Sequence, residues 1–155
     1  DAERIGLVGL SMGGAVAAVI AGNNPQMIKA LVLWSAAGID TIAGIYHAKE
    51  EQGAFLQNEH GQIDIGGLWL NENFHADLAN WNSYETLKTY QGPALILQGT
   101  GDQVIPPATA EQYQAALDGR ASLIYIPDAD HTFNRHSWEE QVLSETTKFL
   151  KNTLF

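Results

Sequence analysis

Hydrophobic positions in this chain come in short unbroken runs, separated by stretches where they recur at helical spacing. Ile5, Leu7, Val8 and Leu10 make the first run, bounded by glycines and short enough for a buried strand. Small apolar residues continue from about Met12 to Ala21 and stop at Gly22-Asn23-Asn24-Pro25, which predicts a buried helix followed by a breaker. Ala30–Trp34 is continuously apolar, the pattern of a strand covered on both faces. Two further strands are predicted at Ala94–Gln98, after Gly92-Pro93, and at Ser122–Ile126. Between them Pro106 and Pro107 lead into a helix that ends near Leu117, with Gly119 as its stop. A last helix is expected from Ser137, with Glu140 completing a capping box and Trp138, Val142, Phe149 and Leu150 forming its apolar stripe. Strands alternating with helices predict an α/β fold with a parallel sheet and flanking helices.

Residues Ile39 to Tyr90 break this rhythm. Asn58-Glu59-His60-Gly61 reads as a hairpin turn and Gly66-Gly67 as another break. Seven of the 14 aromatic residues lie here: Tyr46, Phe55, Trp69, Phe74, Trp81, Tyr84 and Tyr90. The expected organisation is a core made of 1–38 and 91–155 with a cap or lid insertion at 39–90. Long insertions in compact domains tend to be lids or binding loops. The aromatic excess suits a wall for a flat or greasy acyl group, with Trp69 as the expected substrate contact.

Composition narrows the function classes. The 155 residues fit one domain, and 8 basic against 18 acidic residues give a formal charge of −10. Such a surface repels phosphate backbones and anionic lipid, so neither nucleic acid nor a membrane is an expected partner. Cysteine is absent, which removes disulfides, thiolate metal sites and cysteine nucleophiles; no metal or other cofactor is expected. The uncharged stretch from Ile5 to Gly22 contains five glycines and splits into a strand and a helix pattern, so it does not read as a membrane span. Asp1 and Glu3 stand where a signal peptide would be basic, and the expected location is cytoplasmic.

Gly9-Leu10-Ser11-Met12-Gly13 has the form G-x-S-x-G on a predicted strand-to-helix turn. Small residues there let strand and helix approach, and the helix N-terminus directs amide N–H groups toward developing negative charge. Ser11 is therefore the candidate nucleophile. A serine hydroxyl is weak without a base within hydrogen-bond reach. His131, in the loop after the fourth predicted strand, is the candidate base. His47, His60 and His75 lie in the insertion, and His136 stands just ahead of the last helix. Asp102, after the third predicted strand, is the candidate acid that orients the imidazole. Asp128 and Asp130 are its rivals by closeness in sequence. All three chosen residues lie beyond the carboxyl ends of different strands, where open α/β sheets place their sites.

The chain order Ser11, Asp102, His131, together with Gly-Leu-Ser-Met-Gly-Gly, Leu-Gln-Gly-Thr-Gly-Asp-Gln-Val-Ile-Pro and Pro-Asp-Ala-Asp-His-Thr-Phe, resembles the α/β-hydrolase family over nearly the whole chain. More closely it is similar to bacterial cinnamoyl and feruloyl esterases, which carry a short cap with a Gly-Gly-aromatic segment like Gly66-Gly67-Leu68-Trp69. Leu10 and Met12 also suit lactonases, lipases and other esterases. The resemblance implies a carboxylic-ester hydrolase working through an acyl-enzyme on a small-molecule ester, with the Met12 N–H as an oxyanion-hole donor. A lactonase, lipase, peptidase or acyltransferase reaction, or an inactive half-fold acting as an interaction or swapping module, are the alternatives. In that family several strands precede the nucleophile, and a His-Gly loop after one of them supplies a second oxyanion donor. The only such pair here, His60-Gly61, lies downstream in the expected hairpin turn. The chain thus resembles the C-terminal part of such a hydrolase without its N-terminal strands, and self-association or a need for an N-terminal segment is expected.

Overall fold

The computed structural model describes residues 3–155 apart from 52, 54–56, 66, 67, 72 and 79. Its elements, in chain order, are β1 (Ile5–Leu10), α1 (Met12–Asn23), β2 (Ile28–Trp34), α2 (Ile39–Glu51), β3 (Ile63–Ile65), β4 (Leu68–Leu70), α3 (Asn73–Leu78), α4 (Ser83–Leu87), β5 (Ala94–Gly99), α5 (Pro107–Ala116), β6 (Ala121–Ile126) and α6 (His136–Leu154). Four strands form one sheet in the order β1-β2-β5-β6, with every neighbouring pair parallel. The chain divides into two compact units, Asp1–Gly38 with Ser83–Phe155, and Ile39–Asn82.

In the larger unit, parallel strands require crossover helices, and these helices cover both faces of the sheet. Leu31, Leu33 and Ile96 pack with Ala17, Ala18 and Ala21 of α1, Leu87 of α4, and Tyr113 and Leu117 beside them. Val32, Leu95, Leu97 and Ile126 face the other way, onto Phe133 and Val142. Each such fully buried aliphatic side chain contributes about 1.5–3 kcal/mol. Alternation explains the split: odd and even positions of β2 and β5 point to opposite faces. Every residue of β5 is buried, whereas β1 pairs on one side only among the described residues and leaves Val8 and Leu10 exposed.

The smaller unit spans Ile39–Asn82, and residues 83–90 belong to the larger one. Leu87 and Tyr90 are buried, and burial pushes the Tyr90 phenol up to about 12. A Cβ on Gly22 would lie 2.1 Å from the Thr86 carbonyl oxygen, so Gly22 is needed for α1 to touch α4. The Tyr113 hydroxyl donates to the Ala37 carbonyl at 2.7 Å and lies 2.8 Å from Ser83 Oγ, which must then be the donor to it. One buried side chain thereby ties the residues flanking both ends of the smaller unit.

Within the smaller unit, β3 and β4 pair antiparallel. The Asn58 side chain accepts from the His60 and Gln62 amides at 2.9 and 3.0 Å, and Gly61 takes φ 71°, so the expected turn forms there. The expected break at Gly66-Gly67 lies outside the described residues. At the other end of the chain, the expected capping box does not form. Helix α6 starts one residue earlier, with Arg135 as N-cap and no side-chain cap. Glu140 instead lies 3.4 Å from His136 Nε2, and the Arg135 guanidinium stacks on Trp138 at 4.3 Å. No helix among the described residues is long and apolar enough to cross a membrane.

Candidate active site

Ser11 stands between the last residue of β1 and the first of α1, with φ 54° and ψ −125°. A non-glycine residue there stores on the order of 1–3 kcal/mol of backbone strain, which persists only if the surroundings over-determine it. They do so here. The Ser11 N–H donates to the Trp34 carbonyl at 3.0 Å, and its own carbonyl accepts from Gly14 N at 2.9 Å and Ala37 N at 3.0 Å. A Cβ on Gly9 would lie 2.3 Å from the Gly13 carbonyl oxygen, and one on Gly14 would lie 2.5 Å from Ala36 Cβ. Those two glycines let strand, helix and the segment after β2 converge on the serine. Gly13, though part of the pentapeptide, faces open space. Met12 opens α1, so its amide is among the first helical N–H groups, which have no intrahelical acceptor.

His131 and Asp102 reach Ser11 from two loops that lie against each other. Gly101 N donates to the Ala129 carbonyl at 3.0 Å, Thr100 N to Ile126 at 3.1 Å, and Asp128 N to Thr100 Oγ1 at 2.8 Å. His131 Nε2 is 2.9 Å from Ser11 Oγ, and His131 Nδ1 is 2.9 Å from Asp102 Oδ2. The Asp102 side chain is fully buried and that of His131 is mostly so. Burial alone would raise the Asp102 carboxyl, but it is outweighed. The hydrogen bond from His131, the amides of Ile105 and Val104, and the attraction of His131 together hold it below its ordinary value of 3.8. An ionised carboxylate only accepts, so the imidazole proton sits on Nδ1 and Nε2 is left to accept from the Ser11 hydroxyl. Such a chain draws the serine proton toward the imidazole and stabilises the imidazolium that results.

A profile of the prolyl oligopeptidase family matches residues 1–155. The chain belongs to the prolyl oligopeptidase family. Among curated relatives, it is 32% identical over 135 residues to the alpha/beta hydrolase domain-containing protein WAV2 of Arabidopsis thaliana, covering 84% of this chain and 41% of that protein. It is 29% identical over 137 residues to acyl-coenzyme A thioesterase 6 of Mus musculus, covering 83% of this chain and 32% of that one. The chain thus spans well under half the length of these two relatives. Among solved structures, the esterase domain of a Rhodothermus marinus protein superposes with a TM-score of 0.75 at 19% identity, over 96% of this chain and 61% of that one. Est1E from Butyrivibrio proteoclasticus gives a TM-score of 0.72 at 21% identity, over 96% and 60%, and it has also been solved with ferulic acid bound. The shared fold is that of the α/β hydrolases.

The remaining candidates of this prolyl oligopeptidase family chain fall elsewhere. Asp130 turns away from the imidazole: its Oδ1 accepts from Asn134 N at 2.9 Å, and that bond leads the influences lowering its carboxyl. Asp128 is exposed, with φ 59°. His60 is exposed in the Asn58–Gln62 turn, and His136 is exposed at the start of α6. His47 and His75 lie on α2 and α3. Trp69 is half-exposed on β4, opposite Asp64. Among the described residues no group of three or more His, Cys, Asp or Glu is placed to hold a metal ion. A groove of about 340 Å³ is lined by Leu10, Trp34, Thr132, Phe133 and Val142 among others, and Ser11, Asp102 and His131 do not line it.

Sequence reasoning missed Gln98. This buried residue of β5 places Nε2 3.1 Å from Asp102 Oδ2. The available signal was a lone amide at the end of the apolar run Ala-Leu-Ile-Leu.

Proposed function

We propose that the chain hydrolyses carboxylic esters through an acyl-enzyme. The unbroken hydrogen-bond chain from Ser11 Oγ through His131 to Asp102 carries this reading. Ser11 Oγ attacks the ester carbonyl carbon while His131 Nε2 takes its proton. The developing oxyanion is held by the Met12 N–H, which costs no reorganisation at the moment of reaction. His131 then returns the proton to the departing alcohol, leaving an acyl group on Ser11. Water, deprotonated by His131, releases the carboxylic acid and restores the serine. Asp102 keeps the imidazole in the working tautomer throughout.

Esterase and thioesterase relatives support an acyl substrate, and the ferulic acid complex of Est1E supports trying hydroxycinnamoyl esters first. In this reading the inserted unit selects the acyl group and Trp69 touches it. The match to the prolyl oligopeptidase family favours a second reading, in which the same residues cleave a peptide bond. A fluorophosphonate followed by mass spectrometry tests the nucleophile: the adduct is expected on Ser11, and an adduct on another serine overturns the assignment. A panel of p-nitrophenyl esters, methyl ferulate and a proline-containing peptide p-nitroanilide separates the reactions. Turnover of the anilide alone would replace the ester reading with the peptidase one.

A further inference from the structure

We propose that Gln98 is a positioning residue for Asp102, clamping the acid of the hydrogen-bond chain from inside the sheet. This rests on the reading of Ser11, His131 and Asp102 as a working triad.

Gln98 lies on β5, whose other buried side chains are apolar. By strand alternation it shares a face with Ala94 and Ile96, which pack into the cluster against α1 and α5. An amide in such a place is costly unless it is used. Its Nε2 lies 3.1 Å from Asp102 Oδ2, 3.2 Å from the Gly99 carbonyl and 3.3 Å from the Ile105 carbonyl. All three neighbours are acceptors, which fixes the NH₂ end of the amide toward them. At the other end, Gln98 Oε1 is buried without a partner. Packing does not account for this arrangement, because a leucine or methionine would fill the space without burying an unmatched carbonyl. The donor end is the part the fold uses.

What that donor adds follows from the other bonds to the carboxylate. Val104 N and Ile105 N both donate to Asp102 Oδ1, each at 2.8 Å. They fix one oxygen and leave the group free to pivot about it. The oxygen that accepts the hydrogen bond from His131 Nδ1–H is Oδ2, and Gln98 donates to that one. The same NH₂ group also reaches the carbonyls of Gly99, the last residue of β5, and of Ile105, beyond Asp102 in the loop that follows. Val104 in that loop is exposed, whereas β5 is buried throughout. Gln98 thus transfers the rigidity of a central strand to an oxygen on a surface loop.

The test uses the full chain with Gln98→Met, which keeps the length and loses the donor, and Gln98→His, which keeps a ring N–H. Gln98→Leu is the second donor-free variant should the methionine form not fold. Three quantities are read: the melting temperature, the low-field proton resonance of His131 Nδ1–H, and the rate of Ser11 labelling by a fluorophosphonate. Each is repeated in an Asp102→Asn background. Expected in Gln98→Met is an unchanged or raised melting temperature, a displaced or broadened resonance, and labelling slowed on the order of 10–10²-fold, as for a misplacement of about 1 Å. Gln98→His restores part of the rate. In the Asp102→Asn background the same change alters labelling within about twofold, because the group through which Gln98 acts no longer performs its role. Unchanged labelling and resonance in Gln98→Met, an equal loss in the Asp102→Asn background, or absence of the resonance from the native chain would overturn the proposal. Failure of the native chain to label at Ser11 would instead sink the triad reading, while the resonance still decides the role of Gln98.

Discussion

The two units of the chain differ in how their described residues are buried. In the larger one, Ala30, Leu31, Val32 and Leu33 of β2 are wholly out of solvent, and every residue of β5 is buried. The three loops that carry Ser11, Asp102 and His131 leave the ends of β1, β5 and β6, and backbone hydrogen bonds tie them to neighbouring strands and to one another. In the smaller unit, β3 and β4 have three residues each and α3 six; Ile63 is buried there, while Trp69 and Trp81 are exposed. Acyl transfer needs its groups held to about 0.5 Å, which demands rotamers locked by dense packing. A surface that only selects among substrates works with less. A small unit also buries a smaller share of its surface. Under the proposed ester hydrolysis, chemistry belongs to the larger unit, which holds Ser11, Asp102 and His131, and selection is proposed for the smaller one.

The sharpest way to break that assignment is Ser11→Ala, expected to lower ester turnover on the order of 10⁶-fold with no loss of melting temperature. Full activity in this variant, measured against p-nitrophenyl esters, would remove the larger unit's role. Next comes Asp102→Asn, expected to cost on the order of 10⁴-fold by holding the wrong imidazole tautomer. Asp128→Asn and Asp130→Asn should leave most of the rate, and a larger loss in either would reassign the acid. In urea titrations, Leu33→Ala should cost about 2–5 kcal/mol, with Ile63→Ala well below it. An equal cost would mean that the two units are packed alike.

Acid separates the two units further. The Asp102 carboxyl is depressed in the folded state, so its contribution to stability is fully present above its ordinary value of 3.8 and is lost as pH falls through the lower folded value. Stability measured from pH 5 downward should show this loss, and Asp102→Asn should abolish it. An identical acid profile in the variant would refute the linkage. The smallest effect is expected from Trp69→Ala, which should shift preference between aromatic and short aliphatic esters with little change in melting temperature. Equal losses on all esters, in step with a lowered melting temperature, would make Trp69 a packing residue.

The same contrast governs what could be read from the sequence. Short apolar runs place β1, β2, β5 and β6 within two residues at either end; the signal is plainest for β2 and β5, because central strands of a parallel sheet leave polar residues few places. Ser11, Asp102 and His131 were legible because each follows such a run, and the structure brings them within hydrogen-bond reach. Tyr84 and Tyr90, counted in the sequence with the aromatic-rich insertion, lie in the larger unit, where Tyr90 is buried and the Tyr84 ring meets that of Tyr113 at 4.6 Å, tilted by 53°. The breaker at Gly22-Asn23-Asn24-Pro25 does end α1, at Asn23, but the second role of Gly22, contact with α4, leaves no mark in the sequence. For Gln98 the local signal was only a lone amide ending an apolar run, since its partners are set by how the loop folds back. The capping box failed because the helix began one residue early, with Arg135 already stacked on Trp138.

The hydroxyl of Tyr113 has a consequence for how this architecture can change. By binding both the Ala37 carbonyl and Ser83 Oγ, it makes the span between residues 38 and 82 a closed loop whose ends are anchored independently of its contents. For a flexible loop, doubling the length between fixed ends adds only about 0.6 kcal/mol of closure entropy. The segment between the anchors can therefore be lengthened, shortened or exchanged at little thermodynamic cost to the sheet. A lineage carrying such a clasp can trade the span between the anchors for another while the strands on either side stay where they are.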